Sequence, residues 1–313
     1  MATTSTEPAS PHHPSQRSRE LVRSAYDLHV HVAPDVIERR IDDVDLATRF
    51  VEHGLAGFAL KSHYTSTAER AQVVARAVPG IDVVGTITLN RAVGGLNPLA
   101  VEIAAREGAR IVWLPTVDAV NEAEAREPAN GVSPPLWARI QAELRDQGME
   151  PQPVPVDEHG APLRELREVL AVVARHGLVL GTGHLARDEI FAVVDAALEA
   201  GVRHVVVTHP EFPAQALDLE DQVALAERGA LLERCFTTPH TGKCSWEAVC
   251  EGIRATGPER NLLSTDLGQP ANPPVEDGLA LFVDRLAEGG ISEAELRTMT
   301  VHNSRLLAGV AAG

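Results

Sequence analysis

From Tyr26 onward, short runs of β-branched and other apolar residues alternate with segments whose apolar positions recur at helical spacing. That alternation predicts a parallel sheet with crossover helices on its outside. The candidate strands are Tyr26–Val32, Ala56–Lys61, Ile81–Thr88, Arg110–Pro115, Leu178–Thr182, His204–Thr208, Ala230–Phe236 and Asn261–Thr265. Eight strands, each followed by a helix, is the count that closes a (β/α)8 TIM barrel of the α/β class.

Helix punctuation supports the parsing. Asn97-Pro98 reads as an N-cap and a first-turn proline on a helix closed by Gly108. Ser66-Thr67-Ala68-Glu69 has capping-box spacing, and Gly54, Gly148, Gly177, Gly201 and Gly229 each stand where a left-handed C-cap belongs. The connection from Thr116 to Gly177, between strands four and five, is oversized. It carries two helical patterns and the proline-rich MEPQPVPVDEHGAP, and reads as an insertion forming a small hairpin or a lid. Residues 1–20 are rich in Ser, Thr, Pro and His and read as a disordered tail, leaving 21–313 as one barrel domain.

Composition narrows the partners. A net charge of -16, with no clustering of Lys and Arg, argues against a nucleic-acid or anionic-membrane surface. No run of about 18 apolar residues is present to span a bilayer. Cys235, Cys244 and Cys250 show no Cys-x-x-Cys spacing, so neither a disulfide framework nor a thiolate zinc site is indicated, and a reducing cytoplasm is the expected location. The expected partner is a small-molecule substrate, and the chain is compatible with a homo-oligomer.

The candidate chemistry lies at the strand ends. In Asp27-Leu28-His29-Val30-His31 the strand alternation sends His29 and His31 the same way. His184 ends strand five, His209 ends strand six and Asp266 ends strand eight. In a (β/α)8 barrel the C-terminal strand ends share the active-site rim, so these five converge. Four imidazoles and a carboxylate suit one or two divalent ions, zinc first and manganese or iron as alternatives, with positions left for water. Lys61, His63, Tyr64, Thr116, Glu211 and Arg234 are candidate substrate contacts on the same rim, with Asp118 and His240 as further polar candidates.

These strand-end residues resemble the amidohydrolase superfamily, and Val301-His302-Asn303-Ser304-Arg305-Leu306-Leu307 is similar to that superfamily's closing Asn-Pro-Ala-x-x-Leu segment. More narrowly, DLHVHVAPD, ALKSHYTST, GTGHLARDE and VVTHPEFP look like an uncharacterised bacterial branch of it. The resemblance implies a metal-dependent hydrolase, with Asp266 as the catalytic proton acceptor and an amide or cyclic amide, expected here to carry a carboxylate, as substrate. Lactone or phosphoester hydrolysis, decarboxylation on the same metal site, and a non-enzymatic small-molecule-binding barrel are the alternatives. One departure matters: strand four ends Trp113-Leu114-Pro115-Thr116 and offers no bridging lysine or glutamate. Lys61, at the end of strand two, would bridge two ions if a carbamate formed on its amine; the competing roles are a contact to a substrate carboxylate for Lys61 and a further metal ligand in His63.

Overall fold

Eight parallel strands pair in chain order: β1 (Tyr26–Val30), β2 (Gly57–Leu60), β3 (Asp82–Thr88), β4 (Ala109–Trp113), β5 (Val179–Gly181), β6 (His204–Thr208), β7 (Leu231–Cys235) and β8 (Asn261–Ser264). The structure, a computed structural model, describes residues 13–124, 136–215 and 217–310. The ring closes through a parallel bridge between Val30 and Leu267 just beyond β8. There Asp266 N donates to His29 O and His31 N to Leu267 O, each at 2.8 Å. Closure therefore sets Asp266 directly beside the two strand-one histidines. The expected (β/α)8 barrel is the observed fold.

Two large apolar layers lie between barrel and helices, one around Phe50, Phe58 and Phe282 and the other around Leu114, Leu166 and Ile190. A third fills the lower barrel with Tyr26, Leu28, Ile111, Trp113, Val206, Leu231 and Leu262. The terminal segment seals that end. Leu307 and Ala308 join the lower layer, Ser304 Oγ accepts from Tyr26 N at 3.0 Å, and Asn303 Nδ2 donates to Asn261 O at 2.6 Å.

The register of β1 against β2 gains one residue between Asp27 and Val30. A bulge of this kind re-aims side chains. Tyr26 and Leu28 thus belong to the lower core, while His29 and His31 still face the cavity above it.

Two expectations are corrected. The tail is shorter than read: Gln16–Leu21 is a helix capped by Ser15, Ser18 Oγ donates to Asp284 at 2.6 Å, and Leu21 and Val22 are core residues, so apolar positions at its end give it a docking face. Residues 1–12 of that tail lie outside the described residues. The capping box at Ser66–Glu69 does not form, because Thr67 Oγ1 donates to Leu60 O at 2.7 Å instead of capping the helix Ala68–Ala77. The Asn97 cap does form, accepting from Leu99 N and Ala100 N.

The insertion after β4 contains the helices Val120–Glu124 and Leu136–Asp146 and a hairpin pairing Asp157–Glu158 with Ala161–Pro162; its residues 125–135 lie outside the described residues. No helix among the described residues is long and apolar enough to cross a membrane.

Candidate metal centre

At the C-terminal rim of the barrel, ligand atoms of His29, His31 and Asp266 all lie within 4.8 Å of one another. His29 Nε2 and His31 Nε2 stand 3.3 and 3.2 Å from Asp266 Oδ1. The His184 and His209 rings are adjacent, with centroids 5.0 Å apart, and the His209 ring is 6.3 Å from that of His29. All five expected ligands line one cavity of about 230 Å³, together with Lys61 and His63.

Backbone geometry shows what holds them there. His209 and Asp266 both adopt positive φ, 30° and 54°, a region that side-chain-bearing residues enter at a cost. His184 follows Gly183 at φ 65°, where a Cβ would lie 2.4 Å from the carbonyl oxygens of Leu114 and Pro115. Only glycine lets the chain turn against β4 at that point. His184 N then donates to Pro115 O at 2.9 Å.

Around the rim, His29, His31, His63, His184 and Asp266 each have an outer partner. Glu233 Oε2 lies 3.2 Å from His29 Nδ1, and Thr116 Oγ1 lies 2.9 Å from His63 Nδ1. Thr237 Oγ1 donates to Asp266 Oδ2 at 2.9 Å. Arg39 Nη2 sits 3.4 Å from His31 Nδ1 and is itself held by Asp35 at 2.7 Å. Glu122, from the insertion, brings Oε1 to 2.7 Å from His184 Nδ1; the two atoms touch without hydrogen-bond alignment, so the contact is read as an ion-pair distance only.

Burial and charge set the protonation states. Burial, then Arg39, depresses the His31 imidazolium to a pKa of about 3, and burial holds His63 and His209 well below the usual histidine range. These rings are neutral at pH 7, the form that ligates a metal. Burial alone would raise the Asp266 carboxyl, but His29, His31 and Lys61 together hold it well below the usual carboxylate range. Burial also lowers the Lys61 ammonium, whose Nζ lies 2.9 Å from His29 Nε2 and 4.9 Å from the Trp113 ring centre.

The donor set fits a divalent ion. His209 Nδ1 is buried without a hydrogen-bond partner among the described residues, and such an orphaned nitrogen needs explanation. His29, His31 and Asp266 could hold an ion between them, and His184 and His209 line the same cavity.

Four candidate contacts do not line this cavity. Arg234 is fully buried on the outward face of β7, bonded to Asn261 Oδ1 at 2.7 Å, to Gln222 Oε1 at 2.6 Å and to Glu211. Glu211 is thereby the partner of Arg234 rather than a substrate ligand. Thr116 acts through His63 and Asn90, and Tyr64 lies outside the lining with its hydroxyl buried. Asp118 is tied to Arg91 N and Gln141, and His240 stacks on Phe236. The cavity instead recruits residues from the connections between strands: Arg39, Trp137, Phe212, Thr237 and Lys243. Lys243 Nζ sits 4.9 Å above the Phe212 ring, and Phe212 stacks against His184. Glu233 had a sequence signal, a lone carboxylate inside the apolar run of β7, whereas these connecting residues had none.

A model of a family of unknown function, DUF6282, matches residues 24–233. No curated protein matches the chain in sequence. Among solved structures, the chain is similar to an amidohydrolase from Pseudomonas aeruginosa at 12% identity and TM-score 0.62, over 93% of this chain and 99% of that one. It is also similar to a putative 2-pyrone-4,6-dicarboxylic acid hydrolase from Pseudomonas putida at 17% identity and TM-score 0.58, over 93% and 99% of the two chains. The probable dipeptidase PvdM from Pseudomonas aeruginosa matches at 10% identity and TM-score 0.62, over 94% and 97%. At these identities the likeness is one of fold.

Proposed function

We propose that this chain, which belongs to the family of unknown function DUF6282, is a metal-dependent hydrolase that cleaves a small, carboxylate-bearing amide or cyclic amide. The observation that carries the reading is the convergence of His29, His31 and Asp266 within 4.8 Å, on a cavity also lined by His184 and His209. Zinc is the favoured ion, and the number of ions turns on whether Lys61 carries a carbamate.

A divalent ion held by these residues would supply Lewis-acid polarisation of the scissile carbonyl and would acidify water at the site. Asp266, kept ionised by His29, His31 and Lys61, takes up the proton of the attacking water and returns it to the leaving nitrogen. Thr237 fixes the carboxylate by donating to Oδ2, leaving Oδ1 facing the histidines. His63, oriented through Thr116, presents its other ring nitrogen to the cavity, where it contacts the substrate. Trp137 and Phe212 form an apolar wall that displaces water, and Lys243 supplies a cation for the substrate carboxylate. A cavity of about 230 Å³ suits a compact molecule and not a polymer.

The test is metal analysis followed by assay. Protein produced with added zinc or manganese is expected to carry the metal and to turn over members of a panel of carboxylated amides in preference to lactones, phosphoesters and aromatic acids. Preferred lactone or phosphoester turnover, or carbon dioxide release from an aromatic acid, overturns the amide assignment. Failure of the metal-free protein to rebind any of these ions overturns the metal site itself.

A further inference from the structure

Glu233 is the unexpected group beneath the cavity. It lies on the inward face of β7 between Leu231 and Cys235, its side chain is 2% exposed, and the layer next to it is apolar. A carboxylate so buried is costly unless it is paired. Among the described residues its hydrogen-bond partner is His29 Nδ1, at 3.2 Å. An ionised carboxylate only accepts hydrogen bonds, so Nδ1 carries the imidazole proton and Nε2 keeps its lone pair. On the opposite side of the ring Nε2 has two neighbours, the donor Lys61 Nζ at 2.9 Å and the acceptor Asp266 Oδ1 farther off at 3.3 Å, and the nearer one agrees with this assignment. The lone pair therefore points into the group of atoms formed with His31 and Asp266.

We infer that Glu233 is a positioning residue, fixing His29 in the Nδ1–H tautomer so that Nε2 is presented to the metal. The inference rests on the hydrolase reading for its consequence, though the tautomer exists in the metal-free protein. Cys235 is the rival partner, since its Sγ lies 3.7 Å from the same nitrogen. A thiol is a weak acceptor, and the carboxylate is nearer. Loss of such an outer carboxylate weakens metal binding by about 10- to 100-fold.

Two measurements test the inference on the full chain. Nitrogen-15 correlation spectra of the metal-free wild-type protein are expected to show His29 protonated at Nδ1. A spectrum with the proton on Nε2 overturns the assignment, and this readout does not depend on whether zinc binds. Zinc affinity is then measured by competition with a chromophoric chelator for wild type, Glu233→Gln and Cys235→Ala, with thermal unfolding of each metal-free protein alongside. Glu233→Gln is expected to bind zinc about tenfold or more weakly, with Cys235→Ala close to wild type. A Glu233→Gln protein that melts earlier yet binds zinc as tightly as wild type makes Glu233 merely structural, and a loss confined to Cys235→Ala transfers the role to the thiol. Wild-type protein that binds no zinc, manganese or iron refutes the hydrolase reading, while the tautomer spectrum still decides the Glu233–His29 contact.

Discussion

Thr237 and Asp266 are joined by a 2.9 Å hydrogen bond in which the threonine hydroxyl donates to Oδ2. The bond fixes the carboxylate plane, because Oδ1 is at the same time 3.2 Å from His31 Nε2. In the proposed mechanism Asp266 would then reach both a metal and the reacting water without rotating between them. Replacing Asp266 by Asn preserves shape but removes the proton acceptor. Turnover of an established substrate is expected to fall by about 100-fold or more, with thermal stability and much of the metal retained. Thr237→Val is expected to lower kcat less severely and leave KM close to wild type. Near-full activity of Asp266→Asn in a steady-state assay rules out Asp266 as the base.

Lys61 is 3% exposed and its amine is against His29 Nε2, on the floor of the cavity rather than at its mouth. That position favours a bridge over a substrate anchor. Lys61→Ala is expected to lose metal, while Lys61→Glu, which supplies a carboxylate in place of a carbamate, recovers it. Elemental analysis reads both. Full metal content in both variants, with loss of substrate affinity only, makes Lys61 the anchor.

Arg234 supports a different claim, about stability. Its guanidinium is fully buried and bonds Asn261, Gln222 and Glu211. Removing the cation leaves the Glu211 carboxylate, 5% exposed, without its partner. Arg234→Met is expected to cost about 3 kcal/mol in urea unfolding while sparing metal content. Unchanged stability combined with lost ligand binding would return Arg234 to the substrate site.

The strand-end residues of the cavity are legible in the sequence because barrel topology sends every strand's C-terminal end to one rim, so counting strands places Gly183-His184, Thr208-His209 and Thr265-Asp266. Arg234 was misplaced by the same reasoning applied without phase: it is one residue from Glu233, and successive strand residues face opposite sides. The inward residue was the carboxylate. The β1 bulge was invisible because one inserted residue leaves the His-x-His spacing intact. Arg39 and Lys243 come from connections without periodic pattern, Trp137 from a helix of the insertion whose pattern does not say where it packs, and only closure of the barrel brings them to the cavity.

Lys243 lines the cavity that Arg234 does not reach, and it is the cation proposed to meet the substrate carboxylate. Its ammonium lies over Phe212 and 3.3 Å from Thr241 Oγ1, on the cavity wall, with no carboxylate in ion-pair range among the described residues. Arg39, the other loop cation on the wall, is already paired to Asp35, so Lys243 has more charge to offer an incoming anion. Lys243 is partly exposed, and an ion pair there is worth about 1 kcal/mol. Lys243→Ala is therefore expected to raise KM for a carboxylated substrate roughly fivefold with little change in kcat, the pattern of lost uniform binding. For the matching neutral methyl ester KM should be unmoved, and Lys243→Arg should restore most of the difference. An equal rise in KM for acid and ester would show that the side chain shapes the wall rather than recognising charge. An unchanged KM for the acid would remove Lys243 from substrate recognition and leave the carboxylate preference to Lys61 or Arg39.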